Sequence, residues 1–171
     1  MALSFVVETG SGSTTATAYV SVSYADDYFE AMPEEVAWTG ITNADKEYYL
    51  IWASRLLDQK TLWRGTKAVT TSALRWPRSG VYDKDDLLLD DASIPRAVKD
   101  ATCEMARFLV NYDPTVGQGA DNIKRIVADV VEIEYQDGTA QSDWPSLIND
   151  ILRPLGSFKS RSHGFGRILR T

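Results

Sequence analysis

The sequence is poor in the residues that carry covalent and metal chemistry. Its 171 residues include one histidine, His163, and one cysteine, Cys103. A single cysteine excludes an internal disulfide. Its place among apolar residues of a helical pattern predicts a small buried hydrophobe in a reducing compartment. A Cys–His nucleophile needs both groups in one place, and His163 stands in a C-terminal stretch of Gly and Ser. No window approaches roughly 18 uninterrupted apolar residues, so no segment is predicted to span a membrane. Met1-Ala2-Leu3-Ser4 has neither a basic n-region nor a long apolar h-region, so no secretory signal is predicted.

Phosphate and calcium motifs are missing too. Gly10-Ser11-Gly12 and Gly117-Gln118-Gly119 lack the lysine of a P-loop and the strand-then-helix setting of a dinucleotide site. Asp83, Asp85, Asp86, Asp90 and Asp91 crowd one stretch. A calcium loop counted from Asp83, however, requires glycine where Leu88 stands and glutamate where Ile94 stands. These carboxylates are read as solvated loop residues. Glu132 and Glu134 share one face of a predicted strand, with no cleft signal beside them. The sequence therefore predicts no enzyme, no cofactor and no metal.

The chain is rich in core-forming residues. Apolar side chains make up 44%, with five Trp and eight Tyr, enough to bury a real core. Charge is unevenly spread. The net charge is −6, yet Ile151–Thr171 holds Arg153, Lys159, Arg161, Arg167 and Arg170 and no acid. That leaves −11 on residues 1–150, where 13 basic residues face 24 acids. An acidic body with a basic tail usually marks an interaction tail. Phe158 and Phe165 are the tail's only aromatics, few for a stacking platform, and the acidic body would repel a DNA backbone. Docking on a protein fits better, with Phe165, Ile168 and Leu169 as anchors and the arginines as steering charges.

Periodicity predicts an α+β fold, mainly α: three or four helices packed around the aromatics, with a short β element. Leu3–Glu8 reads as a strand and residues 9–18 as a flexible arm. A helix over Val20–Met32 is capped by Ser21 or Ser23, favoured by Asp26 and Asp27, and stopped by Pro33. A second starts at Thr42-Asn43-Ala44-Asp45 and fades near Asp58–Thr61, with Leu50, Ala53, Ser54 and Leu57 inward. Leu62–Leu74 is a connection, and Tyr82–Asp91 a hairpin or extended loop. Pro95 opens a third helix with Val98, Ala101, Thr102, Met105 and Leu109 as its apolar stripe. Residues 123–135 supply one or two strands ended by Asp137-Gly138. A fourth helix is capped by Asp143, with Leu147, Ile148, Ile151 and Leu152 inward. Residues 1–156 form one domain, and 157–171 a basic docking tail.

Arg75-Trp76-Pro77-Arg78-Ser79-Gly80 is the most distinctive stretch. Trp76 suits either a core corner or a contact. Two guanidiniums exceed what a turn needs, so Arg75 and Arg78, with Trp76, are assigned to contacts with neighbouring subunits.

Tyr19-Val20-Ser21-Val22, Ala25-Asp26-Asp27-Tyr28-Phe29, Leu62-Trp63-Arg64-Gly65, Leu74–Val81 and Ile94-Pro95 through Ala101-Thr102-Cys103-Glu104 occur in a specific order and spacing. They resemble the small tailed-phage proteins often labelled DnaT-like single-stranded-DNA-binding proteins. Those are similar in organisation to head–tail connector adaptors, or head-completion proteins. The resemblance covers roughly residues 3–155. It implies a structural virion protein at the portal vertex, assembled in the host cytoplasm. Its partners would be the portal ring, neighbouring copies in a dodecameric ring, and a downstream tail or nozzle protein. Double-stranded DNA would pass through the channel without specific binding, and no membrane would be involved. Arg153, Phe158, Lys159, Arg161, Phe165, Arg167, Ile168, Leu169 and Arg170 would meet the portal. The family label implies an alternative, a single-stranded nucleic-acid-binding replication protein.

Overall fold

The computed structural model describes residues 4–32, 36–112, 125–128, 131–134 and 145–158. Within them the fold is α+β and mainly helical, as expected. The helices are α1 (Val22–Glu30), α2 (Val36–Thr39), α3 (Asn43–Lys60), α4 (Arg96–Asn111) and α5 (Ser146–Leu152). The strands are β1 (Thr61–Trp63), β2 (Thr66–Lys67), β3 (Arg78–Ser79), β4 (Arg125–Ala128), β5 (Val131–Glu134) and β6 (Gly156–Phe158). They pair antiparallel as β1–β6, β2–β3 and β4–β5.

Local signals set most helix boundaries. Ser21 Oγ accepts from Tyr24 N at 3.1 Å and starts α1. Thr42 Oγ accepts from Asp45 N at 3.2 Å and donates to the Asp45 carboxylate at 2.7 Å, a reciprocal cap that starts α3. Pro95 and Pro145 are the residues just before α4 and α5, so Pro95 takes the cap position and not the first helical one. Asp143 lies outside the described residues. The short α2 was not expected.

The core lies between α3 and α4, closed by α1 and α5. Leu50, Ala53, Ser54 and Leu57 of α3 are buried, as are Val98, Ala101, Thr102, Met105 and Leu109 of α4. On α5, Ile148 and Leu152 are buried, while Leu147 is 45% exposed, contrary to expectation. The helix has only seven residues and turns one narrow face inward. Polar links tie α1 to its neighbours. Tyr24 donates to Asp100 at 2.7 Å and Tyr28 to Glu104 at 2.9 Å, matching i, i+4 steps on α1 and α4. Asp26 does not serve the first turn of α1. It accepts from Trp38 Nε1 and Lys46 Nζ, both at 2.8 Å, joining α1, α2 and α3.

Residues 10–13 of the expected arm are tied to the body. The buried Glu8 carboxylate accepts from the backbone N–H of Gly10, Gly12 and Ser13 at 2.8–3.0 Å. At Gly10 φ is +109°, and a Cβ would stand 2.1 Å from Ala92 O, so only glycine fits. Of the predicted strand Leu3–Glu8, a single bridge between Val7 and Ala18 forms. The β4–β5 pairing runs from Arg125↔Glu134 to Ala128↔Val131. Asp137-Gly138, the expected end of this element, lies outside the described residues.

Candidate functional site: an arginine-lined cleft over a buried tyrosine–aspartate network

The Trp76 turn sits on the end of α3. Tyr19, fully buried, donates its hydroxyl to Asp58 Oδ1 at 2.7 Å. The same hydroxyl oxygen accepts from the backbone N–H of Arg75 (3.1 Å) and Trp76 (3.2 Å). Asp58 Oδ2 accepts from Arg75 N at 3.0 Å, and Oδ1 from Trp63 Nε1 at 3.2 Å. One phenol and one carboxylate thereby satisfy the backbone of the turn. Burial, the larger influence, pushes the Asp58 carboxyl up from its ordinary range, against the Tyr19, Arg75 and Trp63 donors that favour the ionised form. Burial beside Asp58 holds the Tyr19 hydroxyl well above the usual phenol range.

Trp76 and Arg78 face inward, which corrects their assignment to subunit contacts. Trp76 is fully buried and packs edge-on against Trp63, with centroids 5.7 Å apart. Its peptide bond to Pro77 is cis. Arg78 is 8% exposed. Its guanidinium donates to three carbonyls: Arg64 O at 2.6 Å, Gly65 O at 2.6 Å and Arg75 O at 3.2 Å. Burial lowers its proton affinity, with the Arg75 charge acting in the same direction and Tyr19 and Asp58 opposing. The second guanidinium of the turn is thus the clamp that holds β1, β2 and the turn together. The paired arginines of the sequence have opposite fates, because Arg75 is exposed.

Outside this network lies an open cleft of about 370 Å³ lined by Arg55, Asp58, Gln59, Ala73, Leu74 and Arg75. Arg55 and Gln59 stand one turn apart on the outer face of α3 and are exposed. Among the described residues, neither the Arg55 nor the Arg75 guanidinium makes a hydrogen bond or ion pair. The Asp58 oxygens are engaged by Tyr19, Trp63 and the backbone of Arg75, so the groups left for a ligand are cationic and amide donors.

Sequence reasoning missed Arg55 and Gln59. The signal was present in local charge: Arg55–Arg78 holds Arg55, Lys60, Arg64, Lys67, Arg75 and Arg78 against Asp58 alone, a net +5. Averaging over residues 1–150 hid that basic segment. Of the predicted tail residues, Arg153 is exposed at the end of α5. Phe158 is part of β6, paired with Thr61 and packed against the core, and so belongs to the body. Lys159, Arg161, Phe165, Arg167, Ile168, Leu169 and Arg170 lie outside the described residues. Among those described, no group of three or more His, Cys, Asp or Glu side chains is placed to hold a metal ion, and no helix is long and apolar enough to cross a membrane.

The fold is a small, mainly helical α+β domain with an arginine-lined surface cleft. Across residues 3–171 the chain matches the family model described as "Putative DnaT-like ssDNA binding protein", and it belongs to that family. No curated protein and no solved structure matches it.

Proposed function

We propose that this protein binds single-stranded nucleic acid without catalysing a reaction, and that the Arg55–Gln59–Arg75 cleft takes the phosphate backbone. The observation that carries the reading is the cleft itself. Two unpaired guanidiniums and an amide converge on one open surface, in a segment of net +5 within an acidic chain. Guanidiniums match phosphate oxygens with two parallel donors each. No aromatic ring lines the cleft, so contacts fall on the backbone and not on base faces. Binding of this kind is sequence-tolerant and strongly salt-dependent. Its partner class agrees with the family description.

The test is an anisotropy titration of a labelled single-stranded oligonucleotide at several salt concentrations. Saturable binding that weakens with salt, and weakens further in Arg55→Gln/Arg75→Gln, supports the reading. Binding unchanged in that variant rejects the cleft.

One observation favours a second reading, the head-to-tail adaptor. Strand β6 pairs with β1, with Arg64 N donating to Leu155 O at 2.9 Å and the Arg64 guanidinium to Pro154 O at 2.9 Å. The basic segment 159–171 therefore departs from a fixed point on the body, as a strap that docks on a portal ring requires. Removing residues 159–171 leaves β6 intact. Mixing full and shortened chains with a portal ring and imaging both by electron microscopy tests this: equal occupancy rejects the strap.

A further inference from the structure

The loop Tyr82–Asp91 presents a second surface that the cleft does not explain. Tyr82 and Leu88 face each other across an antiparallel bridge, and Leu87 adjoins them. They are 52%, 63% and 65% exposed, an unusual concentration of large apolar side chains. The loop is built and not loose. Asp83 Oδ1 accepts from the N–H of Asp85 and Leu87, Asp90 from Ala92 N, and Asp91 from Ser79 Oγ. Two carboxylates, Asp85 and Asp86, have no such partner among the described residues. The loop's net charge is −4.

We infer that this loop is the docking site for the chain's own C-terminal segment, residues 159–171. Charge is the first argument. The segment carries Lys159, Arg161, Arg167 and Arg170 with no acid, a net +4 against the loop's −4. Apolar content is the second. Ile168 and Leu169 lie between Arg167 and Arg170, as Leu87 and Leu88 lie between Asp86 and Asp90. Reach is the third. Phe158 pairs with Thr61, and four residues on, Gly65 touches Val81: a Cβ there would meet Val81 Cγ2 at 2.7 Å. Leu89 N donates to Val81 O at 2.9 Å. Strand spacing and chain length along that path place Leu89 within about 30 Å of Phe158. Leu169 is eleven residues beyond Phe158, or roughly 36–40 Å of extended chain. The segment therefore reaches the loop without a second copy, at the high effective concentration of a tether. Docking covers the exposed leucines and neutralises both partners. Nucleic acid or another polyanion would displace the segment by competing for its arginines.

The test uses the full chain with Thr171→Cys carrying a nitroxide; Cys103 is buried and stays unlabelled. Paramagnetic broadening is read on the amides of Tyr82, Leu87 and Leu88. At low salt these signals should broaden. The broadening should fade at about 0.5 M salt, where exposed charges are screened, and weaken severalfold in Asp85→Asn/Asp86→Asn. Absence of broadening at low salt overturns the proposal. A mixture of isotope-labelled, spin-free chains with spin-labelled, isotope-free chains provides the control. Broadening there of equal strength assigns the site to a second copy and overturns docking within one chain. Oligonucleotide binding by the cleft can fail while this result stands, and the reverse.

Discussion

At the residue scale, a pair of side chains that look alike in the sequence are divided between structure and function. Arg78 is consumed by carbonyls of Arg64, Gly65 and Arg75, whereas Arg75 leaves its guanidinium at the cleft rim. Arg78→Ala therefore strips three carbonyls of a partly buried donor and should destabilise by about 2 kcal/mol. Arg78→Lys should recover little, since one ammonium cannot reproduce the fork that meets three carbonyls. Chemical denaturation of both variants checks this; near-normal stability of the lysine variant would contradict the clamp. Tyr19→Phe removes the acceptor for Trp76 N and one donor to Asp58 while keeping the ring. It should destabilise by about 2 kcal/mol, lowering Tm by roughly 4–8 °C on a thermal scan. The sequence made the Trp76 turn conspicuous but could not say which arginine turned inward. That depends on the carbonyls of residues 64 and 65, brought beside the turn by the β2–β3 pairing. The Tyr19–Asp58 pair, 39 residues apart, had no local signature at all.

At the scale of elements, the two longest helices were legible because period and caps agreed. Thr42 and Pro95 marked their starts, and their apolar stripes turned out buried. Short pieces were harder. The two- and three-residue strands β1, β2, β3 and β6 owe their existence to tertiary pairing and not to pattern, so Leu62–Leu74 read as a plain connection. The α1–α4 contact carries a pH signature. Burial raises the Tyr24 and Tyr28 hydroxyls above the usual phenol range, reinforced by the bonds to Asp100 and Glu104; Tyr19 behaves likewise. The folded state holds these protons more tightly than the unfolded chain, whose phenols titrate near about 10. Stability from this source is full below that value and falls as pH rises above it. Absorbance titration at alkaline pH should therefore show Tyr19, Tyr24 and Tyr28 ionising only with unfolding. Ionisation of these three within the folded state would contradict these contacts.

At the scale of the molecule, charge organises the account. An acidic chain carries two basic regions, Arg55–Arg78 and residues 159–171, and an acidic leucine loop. The β1–β6 pairing sets Phe158, the residue before the second basic region, opposite Thr61 within the first. The tail's charge was plain in the sequence. The inner basic segment was not, because its residues are interleaved with apolar ones and are outweighed by the acids on either side. Only the folded end of α3 sets Arg55 and Gln59 beside Arg75.

The central claim is that the cleft holds phosphates through Arg55 and Arg75. It is tested most directly by the salt dependence of single-stranded oligonucleotide binding in the wild type and in Arg55→Gln/Arg75→Gln. Each phosphate contact on a single strand contributes about −0.7 to the slope of log K against log salt. The account predicts that the double variant binds more weakly and that its slope is shallower by about 1.4. An unchanged slope and affinity, or no binding by the wild type at low salt, would contradict it.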